Sequence, residues 1–96
     1  MDEHETKMIF RKFADGDIIA LMPEIAYDRC GEMVESYMHI GQHSGASLSG
    51  VIDRTESANP SEYADLLIEL TNIGYNVKVV KRDHPKYRRT RTSYLA

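Results

Sequence analysis

Apolar positions along this chain first alternate, then thin out, then recur at helical spacing, and each change of period marks an element. Met8 to Phe13 and Ile18 to Met22 are short apolar runs rich in strand formers, separated by Ala14-Asp15-Gly16-Asp17. Asp-Gly between such runs predicts a β-hairpin, because both residue types tolerate the positive φ of a tight two-residue turn. With Asp15 and Gly16 as the turn pair, Phe13 faces Ile18, Arg11 faces Ala20 and Phe10 faces Leu21. That register places Phe10 and Leu21 on one face of the hairpin, and Ile9, Phe13, Ile18 and Met22 on the other. Pro23 has no backbone donor, so it is expected to close the second strand or set it at an edge.

Ile25 to Gly31 reads as a connection with Asp28 and Gly31 as turn residues. The run to Ile40 then alternates, with Val34, Met38 and Ile40 on one side and Glu35, Tyr37 and His39 on the other, which predicts a third strand. Gly41 to Gly50 holds three glycines and three serines and is expected to be a loop, with Val51 and Ile52 as a short extended piece after it. Asn59-Pro60-Ser61-Glu62 combines a cap, a proline suited to the first helical position and a glutamate at the third. Tyr63, Leu66, Leu67, Leu70 and Ile73 follow at helical spacing until Gly74 ends the helix. Tyr75 to Arg82, with Val77, Val79 and Val80, reads as a last strand. The order β-β-β-loop-α-β defines an α+β fold, a small mainly antiparallel sheet of three or four strands with one helix packed on a face.

Length and charge divide this pattern further. Ninety-six residues sustain one core, and the reading is a disordered acidic start at 1–6, a single domain at 7–82 and a disordered basic tail at 83–96. Residues 1–77 carry 5 Lys and Arg against 14 Asp and Glu, whereas residues 78–96 carry 7 against 1. A basic segment on an acidic body marks either an interaction arm or a solubilising tail that folds back on the body. The mean hydropathy of -0.46 and the 42% hydrophobic content fit neither a membrane protein nor a wholly disordered chain. No apolar run approaches a membrane span and the start lacks a leader pattern, so a cytoplasmic protein without membrane contact is expected. Cys30 is the only cysteine, which excludes an intrachain disulfide and a cysteine-built zinc site.

Candidate chemistry is sparse. His39 and His43 stand four apart, but the glycines around them argue against the helix that gives this spacing its value, and a zinc site needs a third ligand such as Asp53, Glu56 or His84. Ser44, Ser47 and Ser49 lie in none of the contexts that make serine a nucleophile. The chain has no phosphate-binding Gly-x4-Gly-Lys motif, and Asp28 and Glu32 oppose activation of Cys30. No enzyme, no metal and no cofactor are therefore expected.

The tail carries more signal. Lys81, Arg82, Lys86, Arg88, Arg89 and Arg91, interleaved with Tyr87 and Tyr94, have the make-up of a nucleic-acid arm, cations for phosphates and rings for unpaired bases. The acidic body favours a different partner, a basic site on another protein, as in an inhibitor that occupies a host factor's nucleic-acid groove. Sheet edges left open by so small a domain also admit a homodimer.

Phe10-Arg-Lys-Phe13, Gly16-Asp-Ile-Ile-Ala-Leu-Met-Pro-Glu-Ile25, Ser36-Tyr-Met-His-Ile-Gly-Gln-His-Ser-Gly-Ala46 and the segment Pro60 to Tyr75 resemble small uncharacterised proteins encoded by bacteriophages and bacterial mobile elements. The resemblance spans roughly residues 8 to 82 and carries over no catalytic residue. It implies a phage or mobile-element setting, in which small accessory proteins act by binding host or phage macromolecules. The expectation is a non-enzymatic binding module, with Tyr37, His39, Gln42 and His43 lining a candidate surface and the basic tail assisting contact. A metal-dependent enzyme built on the His39/His43 pair is the third alternative.

Overall fold

Residues 4–39 and 42–93 are described by the computed structural model, which is α+β with a mainly antiparallel sheet. The strands are β1 (Thr6–Lys12), β2 (Ile18–Ala26), β3 (Met33–Met38), β4 (Gln42–Ser47), β5 (Glu56–Ser57) and β6 (Val77–Val79). The helices are α1 (Leu48–Arg54), α2 (Pro60–Ile73) and α3 (Pro85–Thr92). Among the described residues, six strands and three helices thus replace the expected three or four strands and single helix. The sheet runs β4-β3-β2-β1-β5, and β6 joins β1 in parallel. The outer edge of β1 is therefore shared, with Thr6 to Met8 paired to Val77 to Val79, and Arg11 and Lys12 paired to Ser57 and Glu56.

The hairpin forms where expected but one residue out of the expected register. Ile9 pairs with Leu21, Phe10 with Ala20, Arg11 with Ile19 and Lys12 with Ile18. The turn holds an additional residue: Gly16 N–H donates to the Phe13 carbonyl at 2.9 Å, Phe13 N–H donates to Asp17, and Gly16 takes φ 96°. A three-residue loop ending in a left-handed glycine shifts the pairing by one, and a one-residue shift moves every side chain to the opposite face. Met8, Phe10, Ala20 and Met22 consequently share a face with Tyr37 and pack against Leu66 and Leu70 of α2. Ile9, Ile19, Leu21 and Val34 form the other face under Leu48 and Val51 of α1. Both faces of the sheet are covered, which is why the two hairpin strands read as nearly continuous apolar runs.

Pro23 does not end β2, which continues to Ala26. The ladder to β3 instead shifts register between Met22 and Ala26, an irregularity that accommodates a residue without a donor. The glycine- and serine-rich stretch is ordered on its described part, as β4 and then α1. Ser47 caps α1 by accepting from Gly50 N–H at 3.3 Å, and Leu48 and Val51 supply its buried anchors, so Val51 and Ile52 are helical rather than extended. Ile40 and Gly41 lie outside the described residues. Helix α2 has the expected bounds and a complete capping box: Glu62 N–H donates to Asn59 Oδ1 at 3.0 Å and Asn59 N–H donates to Glu62 Oε1 at 2.9 Å.

The start is ordered from β1, with Thr6 N–H donating to the Asn76 carbonyl at 2.8 Å, and residues 1–3 lie outside the described residues. Of the basic tail, expected to be disordered, Pro85–Thr92 form α3 and pack on β2, while Tyr94 lies outside the described residues. Among the described residues no helix is long and apolar enough to cross a membrane.

Candidate nucleic-acid interface

Helix α3 has almost no apolar content, so its start and its anchors decide its existence. His84 caps it, Nδ1 accepting from Lys86 N–H at 3.1 Å, and Pro85 takes the first helical position. Arg89 and Arg91 in the last turn favour the negative end of the helix dipole. Tyr87 and Arg91, four apart and hence on one face, turn inward and are 8% and 3% exposed. Arg91 Nε donates to the Gly31 carbonyl at 2.8 Å and Nη1 to the Pro23 carbonyl at 2.9 Å. Burial lowers the Arg91 pKa, and Asp83 opposes that shift. Gly31 is left-handed at φ 73°, and Asp28 Oδ1 accepts from Glu32 and Met33 N–H in the same turn. Two exceptional backbone positions, a proline in a strand and a left-handed glycine, thus present the carbonyls that hold the arginine.

Arg88 is also occupied. Its Nη2 donates to Glu32 Oε2 at 2.7 Å, which raises the Arg88 pKa. What remains on the outside is Lys86 and Arg89 on the exposed face of α3, preceded by the exposed Lys81 and Arg82. None of the four pairs with a carboxylate among the described residues. Lys78, exposed on β6, adds a cation that the sequence reading did not single out. The sequence therefore located the cations, whereas the helical period decides which of them face solvent. That period was not read from the sequence; its signals are Tyr87 and Arg91 four apart and the His84-Pro85 start.

The second predicted surface divides. Tyr37 is 1% exposed and belongs to the core under α2, so it lines no surface. Its hydroxyl donates to Glu69 Oε2, while His39 Nδ1 meets Glu69 Oε1 at 2.6 Å. His43 lies edge-on to the Tyr37 ring, centroids 4.6 Å apart, and its Nε2 meets the Tyr75 hydroxyl at 3.0 Å. Burial, followed by the Glu35 charge, raises the Tyr75 pKa. Gln42 is exposed at the start of β4. The two histidines thus turn to different partners, Glu69 on α2 and Tyr75 beyond it, neither of which the sequence reading connected to them. Among the described residues no three His, Cys, Asp or Glu side chains gather as a metal site.

Fold and site together define a small α+β protein with a cationic helix packed on an otherwise acidic body. In comparison with known proteins, the chain matches no family model, no curated protein and no solved structure.

Proposed function

We propose that this chain is a non-enzymatic binding module that holds the backbone of a nucleic acid on the ridge formed by Lys81, Arg82, Lys86 and Arg89. The observation that carries this reading is the division of labour within the tail. Tyr87, Arg88 and Arg91 are consumed by the fold, and the four cations left over are exposed without acidic partners among the described residues. A helix packed on the sheet presents Lys86 and Arg89, and follows directly on Lys81 and Arg82, without the ordering cost of a disordered arm. A phage or mobile-element setting, as the resemblance of residues 8 to 82 implies, suits an accessory protein of this kind.

Contact with phosphates releases counterions, so affinity for duplex DNA is expected to fall with salt at a log-log slope of about -3.6 for four phosphates. Fluorescence anisotropy of a labelled duplex at several salt concentrations measures this. Replacing Lys81, Arg82, Lys86 and Arg89 by Ala is expected to abolish most of the slope. Unchanged affinity in that variant overturns the reading and moves the search to the acidic body, where Ile68 and Ile73 stand 58% and 50% exposed on α2.

A further inference from the structure

One end of the cationic ridge opens on a cleft of about 310 Å³ between β5, the start of α2 and the end of β6. Its walls are Phe10, Ala58, Pro60, Tyr63, Val79 and Val80, and Lys81 stands at its rim. Phe10 and Tyr63 are stacked on each other with centroids 4.4 Å apart and planes at 14°, so the buried Phe10 backs the partly buried Tyr63, whose ring is the aromatic wall left for a ligand. An apolar concavity of this size with a few polar groups suits a small flat ligand.

The polar groups narrow the choice. Ser57 Oγ already accepts from Arg11 Nη1 at 3.0 Å. Asn59, which lines the cleft, uses Oδ1 to accept from Glu62 N–H and the Ser61 hydroxyl, so its amide N–H groups are the donors it has left to offer. The cap accepts from Glu62 and Tyr63 N–H in the first turn of α2, and Lys81 is the charged group that lines the cleft. No carboxylate lines the cleft among the described residues, and Glu62 in the first turn of α2 is paired with Lys12 at 2.5 Å. The cleft therefore offers a ring-sized apolar slot, a hydrogen-bond donor and one unpaired cation that is also the first member of the ridge.

From these features we infer that the cleft is a base pocket: it receives one unstacked nucleobase of a single strand, with the adjoining phosphate on Lys81. This rests on the ridge reading above and adds that the nucleic acid is single-stranded, because bases inside a duplex are not free to leave the stack without cost. A base on an aromatic platform contributes enough that its loss weakens binding roughly tenfold or more.

The test compares a short single-stranded oligonucleotide with its duplex by anisotropy, using wild type, Tyr63→Leu and Ala58→Leu. Ala58→Leu fills the cleft without removing a cation, and a thermal melt confirms that each variant is folded. Wild type is expected to prefer the single strand about tenfold, and each variant to lose that preference while keeping the salt slope. Equal, salt-steep binding of both probes by wild type overturns the pocket and leaves the ridge standing. Absence of binding to either probe overturns the ridge. In that case titration with adenosine monophosphate decides the pocket: amide shifts confined to Ala58, Tyr63, Val79 and Lys81 uphold it, and none overturns it.

Discussion

Arg91 shows how one side chain can belong to a basic segment and yet serve only the fold. Its guanidinium bridges two backbone carbonyls, those of Pro23 and Gly31. Arg91→Ala strips both of a charged donor and is expected to cost about 2 kcal/mol in urea unfolding. Arg91→Lys is expected to recover little, because a single ammonium lacks the planar fork that reaches two acceptors. Neither change is expected to alter nucleic-acid affinity of the folded protein, in contrast to Arg89→Ala. Gly45 makes a comparable point on the opposite edge. A Cβ there would lie 2.1 Å from the Tyr27 ring, which covers the glycine on β4. Gly45→Ala is expected to cost about 1 kcal/mol in wild type and far less in a Tyr27→Ala background, as a double-mutant cycle would show.

At the scale of elements, α2 is the one whose signals are all local. Asn59, Pro60, Glu62 and Gly74 do in the structure what their types imply, and the helix was legible to its ends. Lys12 on β1 adds a tertiary contact to the same cap. The Glu62 pKa is lowered, chiefly by its hydrogen bond to Lys12, and the Lys12 pKa is raised by the same bond. A lowered carboxyl contributes stability above its ordinary range that disappears as the pH falls through the lowered value. A raised ammonium contributes below its ordinary range and loses that contribution as the pH rises through the raised value. Glu62→Gln keeps the capping geometry but removes the charge, so it is expected to flatten the acid limb of a Tm against pH profile while leaving α2 helical by circular dichroism. The elements that were not legible depend on partners distant in sequence. β4 has the composition of a loop and is a strand because β3 supplies its ladder from Met33 to Met38. α3 has the composition of a tail and is a helix because β2 receives Tyr87 and Arg91. The hairpin lay between, since its place followed from Asp15-Gly16 but its register depended on whether the turn held two residues or three.

Across the whole molecule, the charge asymmetry persists but changes meaning, because the basic segment is mounted on the acidic body instead of trailing from it. A chain ending at Arg82 is thus expected to be less stable than the full one, by denaturant midpoint, since it uncovers β2. Loss of binding on that truncation would mix unfolding with lost contact, and side-chain replacement on the ridge separates the two. The shared edge of β1 bears on how the molecule comes to exist at all. β1 to β4 is a meander of near neighbours, but β1 is finished only when Val77 to Val79 reach Thr6 to Met8. Sequential hairpins close quickly, whereas a pairing across most of the chain waits on a large loop. During synthesis from the N-terminus β1 therefore keeps the flank of Thr6 to Met8 open until Val77 to Val79 have emerged. Pulsed hydrogen exchange during refolding is expected to protect Ile19 and Leu21 before Val80, whose N–H donates to the Met8 carbonyl at 2.9 Å. Interrupted translation, rather than mutation of the mature protein, is then the circumstance in which this chain is most exposed to pairing with the wrong neighbour.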